Sequence, residues 1–582
     1  MTAIPDHRRA ETAVPADVTS SSPRAGVPST IQDRTLETPR IAAVIVTWNR
    51  KEAVSAVIGA IARQTYPTRL IDVVVVDNAS TDGTTEHLRS RWGPERVVEN
   101  PTKRAHEPDF QKVGREGRRL VPNEAGLASL TIVHNHENHG GCGGFNTGFA
   151  YVDGFLSRSS EGGDLGYVWL VDDDVDLPPD ALEQLVTAGQ SDPTIGLVGS
   201  RTVDFNDRVT TIETTVYLDR RTGRMTDDPP PHHRLAATHR AWITQVGAVR
   251  GGRGYAGLRE VDVVSACSLL ARWSAVREVG FWDYRYFIYC DDADWCLRMA
   301  RAGHRVVLNL DAVVYHTPWH HKLTPARAYY AQRNALWMLQ KILPARELRR
   351  VTWRWMLAAM RQSLVSGFHR RIFQADITRR SIADMMSGRW GKLSDDGPPA
   401  EDLMGGLDRV GALRRDRVVA VMCPNEACLS WAGELRVRTG EWLVGQGREG
   451  DIPRWVYFVR NDVPDTPDTP DTPDTPDDRG GPSGPVERVV YSARWRSKFR
   501  RQAKWMVSAP RAVVVFDQAC DFPLIRGAYD VHVDRRRPEM AQIDRSGPAR
   551  IAGFLWRWKV TAARCVVFRS RLTPRVLTTR YG

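Results

Sequence analysis

Three consecutive acids, Asp172, Asp173 and Asp174, stand directly after the apolar run at 167–171, at the tip of a predicted strand. Because side chains alternate along a strand, Asp172 and Asp174 are expected on one side and Asp173 on the other. Carboxylates at a strand tip suit Mg²⁺ or Mn²⁺, ions that also take phosphate oxygens from a substrate. The alternative is a helix cap, because residues 177–180 have the Pro and Asp of a helix start.

A second acidic group, Asp291, Asp292 and Asp294, precedes a run with helical spacing. Acids at a helix start often only cap the helix. A carboxylate held beside a metal-bound phosphate is also what base-assisted attack by a hydroxyl requires. His316 ends the apolar strand at 312–315. A lone strand histidine is more often a core residue, but the acids expected beside this one favour a role as metal ligand.

Two more strand ends carry polar or flexible residues. Asp77 follows the apolar run 71–76 and opens a Ser, Thr, Asp and Gly turn, where it could bind a base or ribose, or merely shape the turn. The segment 138–146 is glycine-rich and lies between a predicted strand and a predicted helix. Such glycines allow close backbone approach to an anionic ligand, although a plain flexible turn is the alternative. The spacing fits neither the phosphate-binding loop nor the dinucleotide fingerprint.

These residues require elements that bring them together. The apolar runs at 41–46 and 71–76, joined by a helical pattern, predict a βαβ unit with a parallel sheet. In open sheets of this kind ligands bind beyond the carboxyl ends of the strands. Thr47, Asp77, Asn138 and Asp172 all fall at such ends, so the sequence predicts one site at this edge of the sheet.

Composition sets the broad class. With 582 residues the chain exceeds one hydrophobic core, and 42% hydrophobic with 26% charged residues excludes a fibrous or wholly disordered protein. The net charge of +12 favours an anionic partner. Eight scattered cysteines at no zinc-ligand spacing are read as reduced thiols of a cytoplasmic enzyme. No apolar run approaches the roughly 20 residues of a membrane span, so any membrane contact is expected to be peripheral.

The predicted fold class is α/β, in five segments. They are a disordered tail at 1–39, an α/β domain at 40–343, a basic amphipathic helical segment at 344–391, a linker at 392–416 and a smaller mixed α/β domain at 417–582. The last contains a Pro-Asp-Thr repeat at 464–486, which has a proline every third residue and is expected to be an extended spacer. We assign the last segment no function.

Five motifs in order give a resemblance to a known family. They are Asn138-x-Gly-Gly-x-Gly-Gly-Phe145, Trp169-Leu-x-Asp-Asp-Asp174, Phe287-Ile-x-x-Asp-Asp-Ala-Asp294, His316-x-x-Trp319 and Arg333-Asn334. With them, residues 41–339 resemble the GT-A (Rossmann-like, nucleotide-sugar-binding) glycosyltransferases of family 2, and among these the actinobacterial galactofuranosyltransferases. The resemblance covers about half of the chain.

The resemblance implies a role for each site residue. It implies Mn²⁺ or Mg²⁺ on Asp172, Asp174 and His316, and catalysis by Asp292 with Asp291 beside it. The residues expected to bind the UDP-linked donor or the substrate are Thr47, Asn49, Asp77, Asn138, Gly140, Gly141, Asp173 and Trp319.

The expected function is metal-dependent, inverting transfer of a sugar, galactofuranose above all, from a UDP donor to a glycan or polyprenyl-linked glycan in cell-envelope polysaccharide synthesis. Such acceptors are commonly lipid-linked. An anionic membrane surface is therefore expected as a partner of the Arg- and Trp-rich stretch at 346–373, on the inner face of the plasma membrane; a helix packed on the catalytic domain is the alternative.

Three other functions remain open from the sequence. The chain could transfer rhamnose or another sugar within family 2, or it could be a non-catalytic sugar- or nucleotide-binding scaffold. Its charge and aromatic content also suit a nucleic-acid binder. We expect no nucleic-acid partner, because the acids cluster where a phosphate backbone would have to lie.

Overall fold

A computed structural model describes most of the chain. The described residues are 38–104, 106–113, 126–157, 164–213, 216–246, 256–317, 325–368, 372–393, 400–461, 463, 486–491, 510–516, 527–534, 537–545 and 548–575. Trp319, nearly all of the predicted tail at 1–39 and nearly all of the repeat at 464–486 lie outside the described residues, so the predictions for them stay predictions.

Strands and helices alternate along the chain. The strands are β1 (Arg40–Thr47), β2 (Ile71–Asn78), β3 (Arg96–Asn100), β4 (Gln111–Val113), β5 (Ser129–Asn135), β6 (Leu165–Asp172), β7 (Ile195–Asp204), β8 (Thr211–Glu213), β9 (Tyr217–Asp219), β10 (Arg224–Thr226), β11 (Leu258–Glu260), β12 (Ser268–Arg272), β13 (Arg305–His316), β14 (Ala400–Asp402), β15 (Val418–Cys423), β16 (Arg454–Arg460), β17 (Val486–Tyr491), β18 (Ala512–Phe516), β19 (Tyr529–Asp534) and β20 (Arg537–Arg545). The α-helices are α1 (Lys51–Ala62), α2 (Thr84–Trp92), α3 (Gly140–Tyr151), α4 (Ala181–Gln190), α5 (Ala236–Val246), α6 (Trp273–Val279), α7 (Asp291–Arg301), α8 (Pro325–Ile342), α9 (Ala345–Phe368), α10 (Ile372–Ser387), α11 (Leu403–Arg409), α12 (Glu426–Gly445) and α13 (Pro548–Arg571).

The first sheet organises the amino-terminal half. Within the described ranges its order is β11-β13-β7-β12-β6-β1-β2-β5-β3-β4, with β8 beside β7. The central strands β6, β1, β2, β5 and β3 are parallel, which confirms the predicted parallel βαβ unit. Thr47 pairs with Asp77 and Val46 with Asp172, so these three strands end at one edge.

Both faces of this sheet are buried. Val44 of β1 packs in one core with Phe149 of α3, whereas the next residue, Ile45, packs in a second core with Ile61 of α1. A strand buried on both faces has no polar alternation, which is why these strands appear in the sequence as continuous apolar runs.

A helical layer follows the first sheet. The segment predicted as one basic amphipathic stretch at 344–391 contains two helices, α9 and α10, and the second is largely buried. Leu336 of α8, Met356 of α9, Ile382 of α10 and Cys565 of α13 share one apolar cluster. The carboxyl-terminal helix α13 therefore packs on this layer, although the sequence placed it in the last domain.

A second sheet forms the core of the carboxyl-terminal third. Its order within the described residues is β14-β20-β19-β18-β15-β16-β17, and the stretch from β19 to β17 is parallel. This is a doubly wound order, which by itself assigns no function. The predicted linker at 392–416 needs correction, because it contains β14, an edge strand of this sheet, and α11, whose Leu403 and Leu407 are buried in its core.

Two further observations bear on the sequence predictions. Among the helices that the structure describes, none is both long enough and apolar enough to cross a membrane. The described cysteines are free thiols: six of them are buried and Cys290 is half-buried.

Candidate functional site

The structure brings Asp172, Asp174 and His316 together at the carboxyl edge of the first sheet. Their three ligand atoms lie within 4.8 Å of one another. His316 Nε2 is 3.1 Å from Asp174 Oδ1 and 3.8 Å from Asp172 Oδ2. Asp172 ends β6 and His316 ends β13, so both come from strand tips. Two carboxylate oxygens and one imidazole nitrogen in this arrangement fit a divalent cation.

The middle acid of the triplet, Asp173, points elsewhere, as strand alternation predicts. It is buried, and its Oδ2 accepts a hydrogen bond from Thr47 Oγ1 at 2.9 Å. Its Oδ1 accepts one from Arg50 Nη1 at 2.7 Å. Burial raises the pKa of Asp173 to about 6 against the opposing charge of Arg50. Both oxygens of Asp173 thus have partners within the protein, and the residue holds the ends of β1 and β6 together.

Asp77 and Asn49 order the loops at the same edge of the sheet as the Asp172–Asp174–His316 cluster. Asp77 is buried; its Oδ1 accepts from Ser80 N at 2.9 Å and its Oδ2 from Thr85 Oγ1. Asn49 has φ of +53° and its side-chain oxygen accepts from Thr81 N at 2.6 Å. The loop after β1 is therefore tied to the loop after β2, and the two are presented as one surface.

The glycine-rich segment is mostly helix, which corrects its interpretation as a loop. Only Asn138 and His139 precede α3, and Asn138 Oδ1 accepts from Gly140 N at 2.8 Å. A Cβ on Gly144 would lie 2.4 Å from a methyl of Val46, so the glycines let α3 lie directly on β1. Tertiary packing has here overridden the low helix propensity of glycine.

Gly140 and Gly141 differ in their surroundings. Gly140 has φ of +74°, and a Cβ there would lie 2.1 Å from the carbonyl oxygen of Phe287. Glycine is therefore required at Gly140, where the start of α3 touches the segment before α7. Gly141 is half-buried, and a Cβ there would meet no atom within 4 Å, so a ligand has room beside it.

The segment before α7 is held in an unusual backbone conformation. Phe287, Tyr289 and Cys290 all have positive φ, between 65° and 69°. The side-chain amide of Asn334 lies within hydrogen-bonding distance of three carbonyls in this segment, including that of Tyr289 at 3.0 Å. Backbone strain of this kind persists only where neighbouring groups enforce it, and it is common at functional sites.

The strained segment leads directly into α7, whose first two residues are Asp291 and Asp292. Asp292 is half-buried, and its Oδ1 accepts from Ala293 N at 2.7 Å. Burial raises the pKa of Asp292 to about 6; backbone N–H groups of Ala293 and Ala266 oppose the rise and the charge of Asp172 adds to it. Burial, followed by the Asp292 charge, raises the pKa of Asp291 well above its ordinary value. The negative charge of Asp172 therefore acts on both carboxyls of the Asp291–Asp292 pair.

Asp294, the third acid of the group, belongs to a different environment. It is fully buried and pairs with Lys341 Nζ at 3.0 Å and Arg298 Nε at 3.1 Å. Lys341 also contacts Asp283. Burial alone raises the pKa of Asp283, but Lys341 and Arg285 outweigh it and lower the pKa to about 2. This buried ion-pair network fixes α7 against α8 and separates Asp294 from the site.

Sequence reasoning did not assign a role to Arg50 or Trp48. Arg50 Nη1 bridges Asp173 and Asp174 at 2.7 and 2.8 Å. Trp48, 45% exposed, stands between Thr47 and Asn49 at the edge where ligands are expected. The only sequence signal for either residue is its place directly after a buried strand.

Comparison with known protein families gives one match. Residues 42–107 and 125–246, about a third of the chain, match the family described as glycosyl transferase family 2. These residues form a glycosyl transferase family 2 domain. The matched part of the family 2 domain includes Asp77 and the Asp172–Asp174 triplet, but it ends before Asp292 and His316.

The solved structures to which this chain is similar are distant in sequence. S. aureus TarS is 14% identical over 60% of this chain and 49% of that chain, with a TM-score of 0.35. The mannosyltransferase PcManGT from Pyrobaculum calidifontis, in complex with GDP-Man and Mn²⁺, is 16% identical over 73% of this chain and 90% of that chain, with a TM-score of 0.34. This chain therefore spans about half the length of TarS. No curated protein matches the sequence. The fold is the expected one, a GT-A α/β domain followed by a second mixed α/β region.

Proposed function

We propose that this chain is a metal-dependent, inverting glycosyltransferase that moves galactofuranose from a UDP donor to a glycan or polyprenyl-linked glycan of the cell envelope. The observation that carries this proposal is the gathering of Asp172, Asp174 and His316, with the charge of Asp172 acting on Asp292, in a chain whose residues 42–107 and 125–246 match family 2. The galactofuranose donor rests on the sequence motifs alone, and rhamnose or another sugar is the alternative that experiment must separate.

The donor set supports a hard divalent cation. Asp172, Asp174 and His316 would hold Mn²⁺ or Mg²⁺, which when bound neutralises negative charge on a leaving diphosphate. Arg50 holds Asp174 through Oδ2, while its Oδ1 is directed to His316. The protein thus orients Asp174 for ligation before any cation arrives.

The nucleotide would lie along the edge formed by the ends of β1, β2 and β5. Asp77, Asn49 and Asn138 fix the loops there, and their own side-chain bonds supply a rigid frame for the donor. Gly141 offers open space beside the start of α3, where backbone N–H groups favour an anionic group.

Asp292 is the proposed general base. Its pKa of about 6 leaves it ionised at neutral pH yet basic enough to accept a proton from an acceptor hydroxyl. Burial and the charge of Asp292 also raise the pKa of Asp291 well above its ordinary value, so the two neighbouring carboxyls share one environment. The hydroxyl oxygen then attacks the anomeric carbon, the bond to the diphosphate breaks, and configuration inverts.

The helical layer supports a membrane-bound acceptor. On α13, Phe554 and Cys565 are buried against the layer, whereas Trp556, Val560 and Val567 are 69%, 43% and 52% exposed. Spacings of four and seven residues place these three side chains on one solvent-facing stripe. A helix with a second, exposed apolar stripe flanked by bases such as Lys559 is suited to lie in a membrane interface.

A basic pocket of about 410 Å³ lies beside α13 and supports the same interpretation. It is lined by Ala345, Arg346, Arg349, Arg350, Trp353 and Arg354 of α9 and by Arg569 of α13. The Arg569 guanidinium lies 5.0 Å from the centre of the Trp353 ring. Such clustered arginines attract anionic headgroups, so we place the protein on the inner face of the plasma membrane as a peripheral enzyme.

Release of nucleotide from a panel of sugar donors tests the proposal. The panel contains UDP-galactofuranose, a rhamnose donor, and UDP-GlcNAc and GDP-mannose, the donors bound in the TarS and PcManGT structures. Mn²⁺-dependent release of UDP from UDP-galactofuranose alone, when a glycan acceptor is present, is the expected result. Release of nucleotide from another donor would show that a different sugar is transferred. Release from none of the donors would contradict the proposed enzymatic activity and favour a sugar- or nucleotide-binding scaffold.

A further inference from the structure

A second cluster of ligating side chains lies at the same edge of the first sheet. Glu99 is the last but one residue of β3. His134 and His136 lie on either side of Asn135, the last residue of β5. Glu99 Oε2 is 2.8 Å from His134 Nδ1 and 2.9 Å from His136 Nε2. Hydrogen bonds with both imidazoles outweigh the effect of burial and lower the pKa of Glu99.

The backbone holds these side chains in place. Asn135, between the two histidines, accepts a hydrogen bond from Asn100 Nδ2 at 2.7 Å, and both asparagines are fully buried. His136 N donates to the carbonyl of Asn100 at 3.2 Å. The ends of β3 and β5 are therefore joined on one face by the asparagines and on the other by the Glu99 cluster, and a scaffold of this kind presents ligands in a fixed geometry.

We propose that Glu99, His134 and His136 form a binding site for a transition-metal ion of the Zn²⁺ class. Imidazole ligands suit Zn²⁺, Co²⁺, Ni²⁺ and Cu²⁺, whereas Mg²⁺ and Mn²⁺ prefer oxygen. Zn²⁺ in tetrahedral geometry needs ligand atoms about 3.4 Å apart, since Zn–N and Zn–O bonds are about 2.1 Å long. The two Glu99–histidine distances need to lengthen by only about half an ångström to accept it, all three ligand atoms lie within 4.8 Å of one another, and the half-exposed edge at His136 leaves a fourth position for water.

This site is separate from the Asp172–Asp174–His316 cluster. Three strand spacings lie between β6 and β5, which is about 14 Å, too far for a two-metal centre. His134 pairs in register with Asp77 on one side and with Glu99 on the other. An ion here would clamp the ends of β3 and β5 two residues before Asn138, and so stiffen the approach to α3.

Metal stoichiometry of the full chain tests the proposal. The background is Asp172→Asn with Asp174→Asn, which removes the oxygen-rich site. After chelation and dialysis, this double variant should bind one Zn²⁺, and Co²⁺ in its place should give the visible bands of a tetrahedral nitrogen and oxygen site. His136→Gln keeps an N–H donor for Glu99 but supplies no imidazole, and it should weaken Zn²⁺ binding by about 100-fold or more.

The matched control is His304→Gln, because His304 Nε2 also contacts one glutamate, Glu278, at 3.0 Å. It should leave Zn²⁺ binding unchanged. If His136→Gln disturbs folding, Glu99→Gln replaces it as the test. The proposal is overturned if the background binds no Zn²⁺, if neither His136→Gln nor Glu99→Gln weakens binding, if His304→Gln weakens it equally, or if a thiolate charge-transfer band places Co²⁺ on cysteine.

Discussion

Arg50 Nη1 lies 2.8 Å from Oδ2 of Asp174, the other oxygen from the one that contacts His316. The same guanidinium nitrogen holds Asp173, whose second oxygen is bonded to Thr47. One cation from the loop after β1 therefore sets the orientation of both acids at the tip of β6. The orientation of Asp174, a proposed metal ligand, therefore depends on a residue that is not itself proposed to bind the cation.

Arg50→Met should weaken Mn²⁺-dependent UDP binding by about 10- to 100-fold, the range typical for partners that orient metal ligands. The variant removes the cation between Asp173 and Asp174 without touching any ligand. Calorimetric titration of UDP in the presence of Mn²⁺ measures the effect. Arg208→Met is the control, because Arg208 pairs with the neighbouring Asp176 outside the cluster. Equal UDP affinities for wild type and Arg50→Met would show that Arg50 does not orient the metal ligands.

Lys341→Met should destabilise the protein by about 3–5 kcal/mol, because it leaves the buried carboxylates of Asp283 and Asp294 without their shared cation. Denaturant unfolding followed by circular dichroism gives the free energy of unfolding. Lys103→Met, which breaks an exposed pair with Glu137, should change it by less than about 1 kcal/mol. A similar small change for both variants would contradict the assignment of a structural network.

The same network predicts an acid limit to stability. The pKa of Asp283 is about 2 in the folded protein, below the value of about 3.9 for an unfolded aspartate. Its contribution to stability is therefore complete above about pH 4 and is lost as the pH falls towards about 2. Urea midpoints recorded between pH 7 and pH 2 should fall through this window in the wild type. The fall should be smaller in Asp283→Asn, and an identical fall in both would assign the acid sensitivity to other groups.

Transfer activity should fall in acid because the proposed base must be ionised. The pKa of Asp292 is about 6, and a bound cation lowers it, so kcat/KM should decline tenfold per pH unit below a midpoint at or under about pH 6. The profile is measured at saturating Mn²⁺. In Asp292→Asn the remaining activity should lack this limb, whereas persistence of the same limb would point to another base.

Binding to vesicles should depend on both α13 and the arginine pocket. Trp556→Ser with Val560→Ser should reduce binding to anionic vesicles by about tenfold or more, because both side chains lose apolar contact with the bilayer. Arg349→Gln with Arg350→Gln should weaken it by about 1 kcal/mol per charge, and added salt should do the same. Val444→Ser, on an exposed position of α12, is the control. If neither double variant changes vesicle binding, this surface does not contact the membrane.

The sheet and the gathering of Asp172, Asp174 and His316 could be predicted from the sequence for one physical reason. Strands buried on both faces give continuous apolar runs, and polar residues directly after them must share an edge. The runs before Thr47, Asp77 and Asp172 carried that information, and the structure confirms the strands. The partners of Thr47 and Asp172, which are Asp173 and His316, could not be predicted because they come from distant parts of the chain, whereas Asp77 bonds to Ser80 and Thr85 of its own turn and helix.

Two examples show what the sequence leaves open. Asp294 looks equivalent to Asp292 in the sequence, yet its partner Lys341 lies 47 residues away and turns it into a buried ion pair. Gly144 of α3 lies against Val46 of β1 and Gly140 lies against Phe287, and only the tertiary fold reveals these two close approaches. The Glu99, His134 and His136 cluster likewise needs the pairing of β3 with β5.

The central claim is that Asp174 holds the metal and Asp292 takes the proton, and one paired measurement tests it most directly. UDP affinity with Mn²⁺ is measured by calorimetry for Asp174→Asn and Asp292→Asn, beside the transfer rate of each with the active donor. We predict that Asp174→Asn loses both affinity and rate, whereas Asp292→Asn keeps wild-type affinity and loses about 10²- to 10⁴-fold in rate. Loss of UDP affinity in Asp292→Asn as severe as in Asp174→Asn, or normal transfer by either variant, would contradict the account.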